Sequence, residues 1–182
     1  ARLSFAAPLP PGRRAEHDLA DVVLGERWTA ARLRSLLLAT LPAGFELVDL
    51  FDVWLGAPAP TAALAAIGHR AVIRGGESRD VADAVATLLA ADRLERSRSK
   101  GSERSVSYDL RPLIVNLDAI PAPDADKQTI VRMILRVSSD GPSGRPDEVI
   151  LALGEVIGAQ LEVAELVRER LWTVDETPTL GS

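Results

Sequence analysis

The stretch QTIVRMILRVS at residues 128–138 has the clearest secondary-structure pattern in the chain, and it predicts a β-strand. Successive side chains of a strand point to opposite faces of a sheet. One face would then be wholly apolar, with Val131, Met133, Leu135 and Val137. The other face would carry two basic residues, in the order Ile130, Arg132, Ile134 and Arg136. The pattern predicts a sheet with a core on one side and a more polar surface on the other.

The residues after this strand predict a helix. A turn at DGPSG leads to Pro146, which suits the first helical position, and the helix should run to about residue 157. Residues 160–172 stay open between two interpretations. Helix propensity favours a helix there, whereas the position after the last helix favours a closing strand. The polar tail at 173–182 is expected to be loose.

The residues before this strand supply the other elements of one unit. The pattern predicts, in order, a strand at 69–74, a helix at about 79–91, a basic hairpin at 93–98 and 104–109, and a strand at 111–118. With right-handed crossovers, both helices lie on one face of an antiparallel sheet. Residues 69–172 therefore predict a split βαβ, ferredoxin-like half, with the basic hairpin at 93–109 inserted in it.

The start of the chain predicts a second, incomplete unit. Strands are expected at 2–9, 18–24 and 45–54, with a helix at about 30–41 whose N-cap is Thr29. This order lacks an opening strand and helix. We therefore predict an α+β fold with two ferredoxin-like halves and antiparallel sheets. Residues 1–56 form the first half, truncated at its N-terminus, and residues 57–68 form a linker.

Composition limits the chemistry of the chain. The 182 residues include no cysteine, so thiolate zinc sites and iron–sulfur clusters are excluded within this chain. The absence of cysteine fits a reducing compartment, and we expect a cytoplasmic protein. No apolar run approaches the roughly 20 residues of a membrane span, so no membrane contact is expected. A formal net charge of −5 disfavours bulk attraction to nucleic acid but allows a local basic patch.

No catalytic motif is present in the sequence. Phosphate-binding glycine loops and a nucleophile elbow are absent, and the two histidines, His17 and His69, are isolated. The acidic pairs at 18/21 and 49/52 are spaced three apart, which places their members on opposite faces of a strand. We therefore predict no catalytic residue and no metal site. Whether the chain is an enzyme stays open, with the balance against it.

The stretch RSRSKGSERSVSYDLRP at 96–112 is the one local signal above background. Arg96, Arg98 and Lys100 share parity, so a strand would present all three on one side. Basic residues also protect edge hairpins against aggregation, so the cluster has two interpretations. As candidates for binding a partner or RNA we take Arg96, Arg98, Lys100, Arg104, Arg111, Arg132 and Arg136.

Five segments together resemble a known bacterial family. They are RLSFAAPLPPG at 2–12, DLADVVL at 18–24, LPAGFELVD at 41–49, RSRSKGSERSVSYDLRPLI at 96–114 and SGRPDEVILALG at 143–154. In order and spacing they resemble the radical SAM-linked, or radical SAM-associated, protein family, a domain of unknown function. The resemblance also favours a strand at 160–172. The chain departs from the family pattern near residues 69–76 and in its Ala-rich linker.

The resemblance implies a partner rather than a catalytic residue. The family is encoded beside, or fused behind, a radical SAM protein, and the iron–sulfur cluster and S-adenosylmethionine would reside only on that partner. The expected function is an accessory domain that presents a substrate or docks the partner. The alternatives are an RNA-binding or RNA-modifying protein on paired ferredoxin-like domains, which is an analogy of fold alone, and a purely structural interaction module.

Overall fold

The computed structural model describes residues 1–100, 104–123, 127–138, 140–176 and 178–180. Its architecture is α+β with antiparallel and mixed sheets, which confirms the predicted class. The elements are β1 (Arg2–Phe5), β2 (Arg14–Ala15), β3 (Ala20–Val23), α1 (Ala30–Thr40), α2 (Pro60–Ala63), β4 (Leu64–Arg74), α3 (Ser78–Ala90), β5 (Glu95–Lys100), β6 (Arg104–Asp109), a 3-10 turn (Arg111–Leu113), β7 (Ile114–Pro121), β8 (Gln128–Arg136), α4 (Pro146–Ile157) and β9 (Glu162–Thr173).

A five-stranded sheet organises the second part of the chain. Its strand order is β2-β9-β4-β8-β7, and every neighbouring pair is antiparallel except β2 and β9. The strand predicted at 128–138 is β8, and its two faces alternate as predicted. Val131, Met133 and Leu135 join the main core beneath α3 and α4. Ile134 faces the other side, where it packs with Ala66 and Trp172.

Helix α3 and helix α4 cover one face of this sheet. Val81, Val85 and Leu88 of α3 are buried, as the helical spacing predicts. Helix α4 begins at Pro146 as predicted and buries Val149 and Leu153, among others, in the same core. Leu94 and Tyr108 at the base of the hairpin β5–β6 pack against the same core, so this base lies on the same side of the sheet as both helices.

Residues 160–172 form a strand, β9, so the helical interpretation is wrong. Gly158 adopts a left-handed conformation with φ of 69°, which ends α4 and turns the chain away from a helical path. β9 then pairs with β4 along most of its length and closes the sheet. Tertiary pairing outweighs the local helix propensity of this segment.

β4 begins at Leu64, inside the range 57–68 that was expected to be a linker. Small residues make this possible. A side chain at Gly68 would lie 2.8 Å from the ring of Trp172, so glycine there lets the indole lie flat on the strand. The expected linker thus contains the short helix α2 and the start of a central strand.

The first 55 residues contain only part of the predicted secondary structure. β1 and β3 pair as an antiparallel hairpin, and α1 begins after Thr29, whose hydroxyl oxygen accepts from Arg32 N at 3.2 Å. Residues 45–54, which were expected to form a strand, have no regular secondary structure. β1 and β3 pair only with each other within the described residues, and the segment at 45–54 does not join their sheet.

β2 also crosses the expected boundary between the two halves. Although it lies in the range 1–56, it pairs with β9 at the edge of the five-stranded sheet. We call residues 13–18 the clamp segment, because the side chains of five of them contact the second part of the chain and the sixth, Ala15, pairs with Arg168 through its backbone. These contacts are Arg13–Asp147 at 3.2 Å, Arg14–Glu165 at 3.0 Å, Glu16–Arg70 at 3.0 Å, His17 Nδ1 to Glu169 O at 2.9 Å, and Asp18–Arg168.

Candidate functional surfaces

Arg96 and Arg98 lie on one face of the hairpin, as their parity predicts, but that face meets α4. Arg96 Nη2 lies 2.9 Å from Glu155 Oε2, and Arg98 Nη2 lies 3.2 Å from Glu148 Oε1. Glu148 and Glu155 are two helical turns apart, so they share one face of α4. The basic face of the hairpin is thus paired with acidic residues of its own chain.

Arg98 has the more enclosed of these two environments. Its guanidinium lies 5.0 Å from the centre of the Tyr108 ring, and Nη2 also donates to Tyr108 Oη at 3.3 Å. The ion pair with Glu148 is about three-quarters buried, with side-chain exposures of 26% for Arg98 and 19% for Glu148. Ion pairs of this kind are less screened by salt than fully exposed ones. We call the contacts of Arg96 and Arg98 with Glu155 and Glu148 the clasp.

The base of the hairpin is held by Asp109. Its Oδ1 accepts from Leu94 N at 2.8 Å and from Arg111 N at 3.0 Å. The hydrogen bond from Leu94 is the largest cause that lowers the pKa of Asp109, and the bond from Arg111 adds to it. The hairpin therefore has a fixed base, while the side chains of Lys100 and Arg104 near its tip lie outside the described part.

Arg111 serves the interior of the fold. Its guanidinium donates to Leu89 O at 2.9 Å from Nη2 and to Ile114 O at 3.2 Å from Nη1. Leu89 lies in the last turn of α3, where carbonyl groups lack helical partners. Arg111 thereby gives a carbonyl group at the end of α3 a hydrogen-bond donor and connects this helix to the start of β7.

Arg132 and Arg136 lie on the opposite face of the sheet from the helices. Arg132 sits between Arg70 of β4 and Asp118 of β7 in the strand register. Arg136 is exposed and pairs in register with Ala66. The structure therefore does not bring the seven predicted candidates together. Two are in the clasp, one is at the end of α3, two are on the far sheet face, and the side chains of two are not described.

Two charged clusters were missed by the sequence reasoning. Arg70 binds Glu16 at 3.0 Å and Glu169 at 2.9 Å. Burial by itself would lower the pKa of Arg70, but the bonds from these two carboxylates raise it overall. Arg168 is 4% exposed and binds both Asp18 Oδ2 and the Ala7 carbonyl. The partners in these clusters are 54 to 161 residues apart along the chain, so no local pattern could have revealed them.

His69 lies beside the second cluster. It faces Arg168 in the register of β4 and β9. Burial is the main cause that lowers the pKa of His69 to about 4, and the positive charges of Arg168 and Arg13 add to the effect. His69 is therefore a neutral, half-buried imidazole near pH 7.

The first 55 residues expose large apolar side chains. We call this set the N-terminal apolar surface: Leu3, Phe5, Phe45, Val48, Phe51, Val53, Trp54 and Leu55. Phe51 is 65% exposed and Trp54 is 74% exposed. No residue of α1 is buried, although its leucines have helical spacing. Six of these eight side chains belong to residues 45–55, and exposed apolar side chains that cluster mark interaction sites more often than single ones do.

Acidic residues accompany this surface. Residues 41–60 contain Glu46, Asp49 and Asp52 and no lysine or arginine. Asp49 pairs with Arg34 of α1 at 3.2 Å, and that pair is largely exposed. The segment at 45–55 therefore combines eight apolar and three acidic side chains, all of them exposed or half-buried.

Few other features of the described residues could bind a ligand. Within them, no group of three or more histidine or acidic side chains is arranged to hold a metal ion. None of the helices seen in the described ranges is long and apolar enough to cross a membrane. An open cavity of about 410 Å³ lies between Ala6–Pro8, α2 and residues 137–138 and 143–144, with a largely apolar lining.

Comparison with known proteins places the chain in a family. Residues 1–146 match the family model described as "Uncharacterized protein conserved in bacteria (DUF2344)". A search of the curated proteins found no significant match. Among solved structures, the chain is similar to one in "Crystal Structure of a Cbf5-Nop10-Gar1 Complex", with 11% sequence identity and a TM-score of 0.44. That match covers 63% of this chain and 33% of the other.

The chain belongs to this uncharacterised family of conserved bacterial proteins, since the model matches well over half of its length. This confirms the coarser part of the sequence resemblance, an uncharacterised bacterial family. The link to radical SAM proteins remains a prediction.

Proposed function

We propose that the chain is an accessory domain that docks a radical SAM protein through the N-terminal apolar surface. The observation that carries the proposal is the exposure of Phe51 and Trp54 among other large apolar side chains in the first 55 residues. Tryptophan and other large aromatic residues often supply most of the binding energy at protein interfaces. Their exposure in one part of the chain supports a protein partner rather than a small ligand.

The negative charge of this region favours a partner with a basic surface. The segment at 45–55 has three acidic residues and no basic one. A matching surface on the partner would be apolar and flanked by lysine or arginine, because complementary charges steer association and fix its register. The partner would also supply the iron–sulfur cluster, for which this chain has no cysteine.

We also propose that residues 64–173 form a ferredoxin-like domain. The support is the strand order β9-β4-β8-β7 with α3 and α4 on one face. For the first 55 residues, β1, β3 and α1 support an incomplete unit of the same kind. On this proposal, the second unit is a stable platform that presents the first to the partner.

The test uses calorimetry to measure binding of the purified chain to the radical SAM protein encoded beside it. A Phe51→Ser, Trp54→Ser double variant should weaken binding by about tenfold or more, because it removes two exposed aromatic anchors. The matched control is Leu151→Ser on α4, since Leu151 is 58% exposed but lies outside the surface. The control should bind like the natural chain.

Two results would contradict the proposal. One is the absence of a complex with the natural chain at concentrations in the tens of micromolar, on the order of a weak transient interface. The other is a stable dimer of the chain alone that the double variant dissociates, as measured by sedimentation. In that case the N-terminal apolar surface would serve contact between two copies.

A further inference from the structure

We propose that the hairpin face with Arg96, Arg98 and Tyr108 binds single-stranded nucleic acid, and that Glu148 and Glu155 mask it. The masking residues are the acidic half of the clasp. This inference is independent of the proposed docking function, because the hairpin and the N-terminal apolar surface share no residue.

The guanidinium groups of the clasp suit phosphate. The planar fork of arginine binds the two free oxygens of a phosphodiester through paired hydrogen bonds. In the clasp, Arg96 and Arg98 each place one terminal nitrogen near one carboxylate oxygen. Within the described residues, Nε of both arginines and Oε2 of Glu148 are buried without a hydrogen-bond partner. The glutamates thus satisfy only part of what each arginine offers.

The hairpin combines these arginines with an aromatic ring. Tyr108 lies directly opposite Arg96 in the register of β5 and β6, and its ring contacts the Arg98 guanidinium. Two arginines of equal parity are about 6.7 Å apart along a strand. Basic side chains that follow a backbone, together with an aromatic face for a base, are the combination that single-stranded nucleic acid binding uses. This pairing favours nucleic acid over a simple acidic protein surface.

The hairpin, rather than α4, is the element that can move. Helix α4 is anchored by Val149, Ile150 and Leu153 in the main core. β5 and β6 form a separate two-stranded sheet, with no strand pairing to the five-stranded sheet in the described residues. Two-stranded hairpins are only marginally stable alone. Leu94 and Tyr108 pack against the main core, so opening the clasp would leave Asp109, Leu94 and Tyr108 in place and free the two arginines.

The experiment measures binding of a single-stranded RNA 20-mer to a Glu148→Gln, Glu155→Gln variant by fluorescence anisotropy. Affinity should rise on the order of tenfold over the natural chain at low salt. The slope of log K against log salt should steepen by about 1.4, which is about 0.7 for each of two new phosphate contacts. Hydrogen exchange of the β5 and β6 amides should accelerate in the variant without RNA.

Three further variants make the test decisive. Adding Arg96→Gln and Arg98→Gln should abolish the gain. The control Glu77→Gln, Asp83→Asn removes the same charge from two exposed positions, one just before α3 and one within it, and should give no gain. If the double glutamine variant fails to fold, Glu155→Gln alone, at a 53% exposed position, should give a gain of a few fold. Equal affinity in natural and unmasked chains, or a gain that survives loss of both arginines, would overturn the proposal.

Discussion

Two regions of this chain use similar sequence patterns with opposite results. Helix α3 and helix α1 both have leucine and valine or alanine at helical spacing, yet α3 buries four residues and α1 buries none. The strand pattern at 128–138 became the buried strand β8, whereas the similar pattern at 45–54 remained without a partner strand. Apolar periodicity shows which faces need covering, but a second element must be present to cover them.

The largest expected difference between the two regions is in the stability lost when a leucine is shortened to alanine. Leu153→Ala on α4 should lower the free energy of unfolding by about 3 kcal/mol, because Leu153 is fully buried in the main core. Leu36→Ala on α1 should cost under about 0.5 kcal/mol, because Leu36 is 44% exposed. Urea unfolding of both variants checks the contrast. Equal losses would mean that α1 is packed in solution.

The clamp segment joins the two regions through ion pairs that differ in burial from those at the surface. Asp18→Asn should lower the free energy of unfolding by about 2 kcal/mol, because it leaves the Arg168 guanidinium buried without a counter-charge. Asp49→Asn, which breaks the exposed pair with Arg34, is the matched control and should cost under about 0.5 kcal/mol. The same urea measurement applies. If both losses are small, the clamp does not hold the regions together.

The neutral state of His69 predicts acid sensitivity of the second region. The folded-state pKa of about 4 is below the ordinary 6.5, so the unfolded chain takes up the proton first as pH falls. The stabilising contribution is present above pH 6.5 and is lost as pH falls towards 4. Between pH 7 and pH 5 the loss should be about 2 kcal/mol.

The matched control for this pH effect is His69→Gln. Its free energy of unfolding should fall by about 2 kcal/mol less than that of the natural chain over the same pH interval, because the variant has no imidazole to protonate. Parallel pH profiles for the two chains would show that His69 is accessible to protons in the folded state.

The smallest expected effect is the loss of stability on removing an arginine of the clasp, compared with removing an exposed arginine. Arg98→Gln should lower the free energy of unfolding by about 1 kcal/mol, since its pair with Glu148 is mostly buried. Arg93→Gln should have almost no effect, because Arg93 and Glu95 are each about two-thirds exposed. Thermal unfolding monitored by circular dichroism measures both. Indistinguishable midpoints would remove the clasp as a stabilising contact.

Sequence reasoning worked where local pattern and burial agree. The sequence alone predicted the alternation in β8 and the helical spacing in α3. It also predicted Pro146 at the start of α4 and the shared face of Arg96 and Arg98. It did not reveal what those arginines face, because Glu148 and Glu155 are about 50 residues away along the chain. The pair of Asp18 with Arg168 and the strand at 160–172 likewise depend on pairing between distant segments.

The most direct test of the central claim is hydrogen exchange of the chain with and without its radical SAM partner. The docking proposal predicts that the partner slows exchange of the amides in residues 45–55, while those of α4 exchange at the same rate in both samples. Unchanged exchange at 45–55, with protection confined to the five-stranded sheet and its helices, would contradict docking through the N-terminal apolar surface.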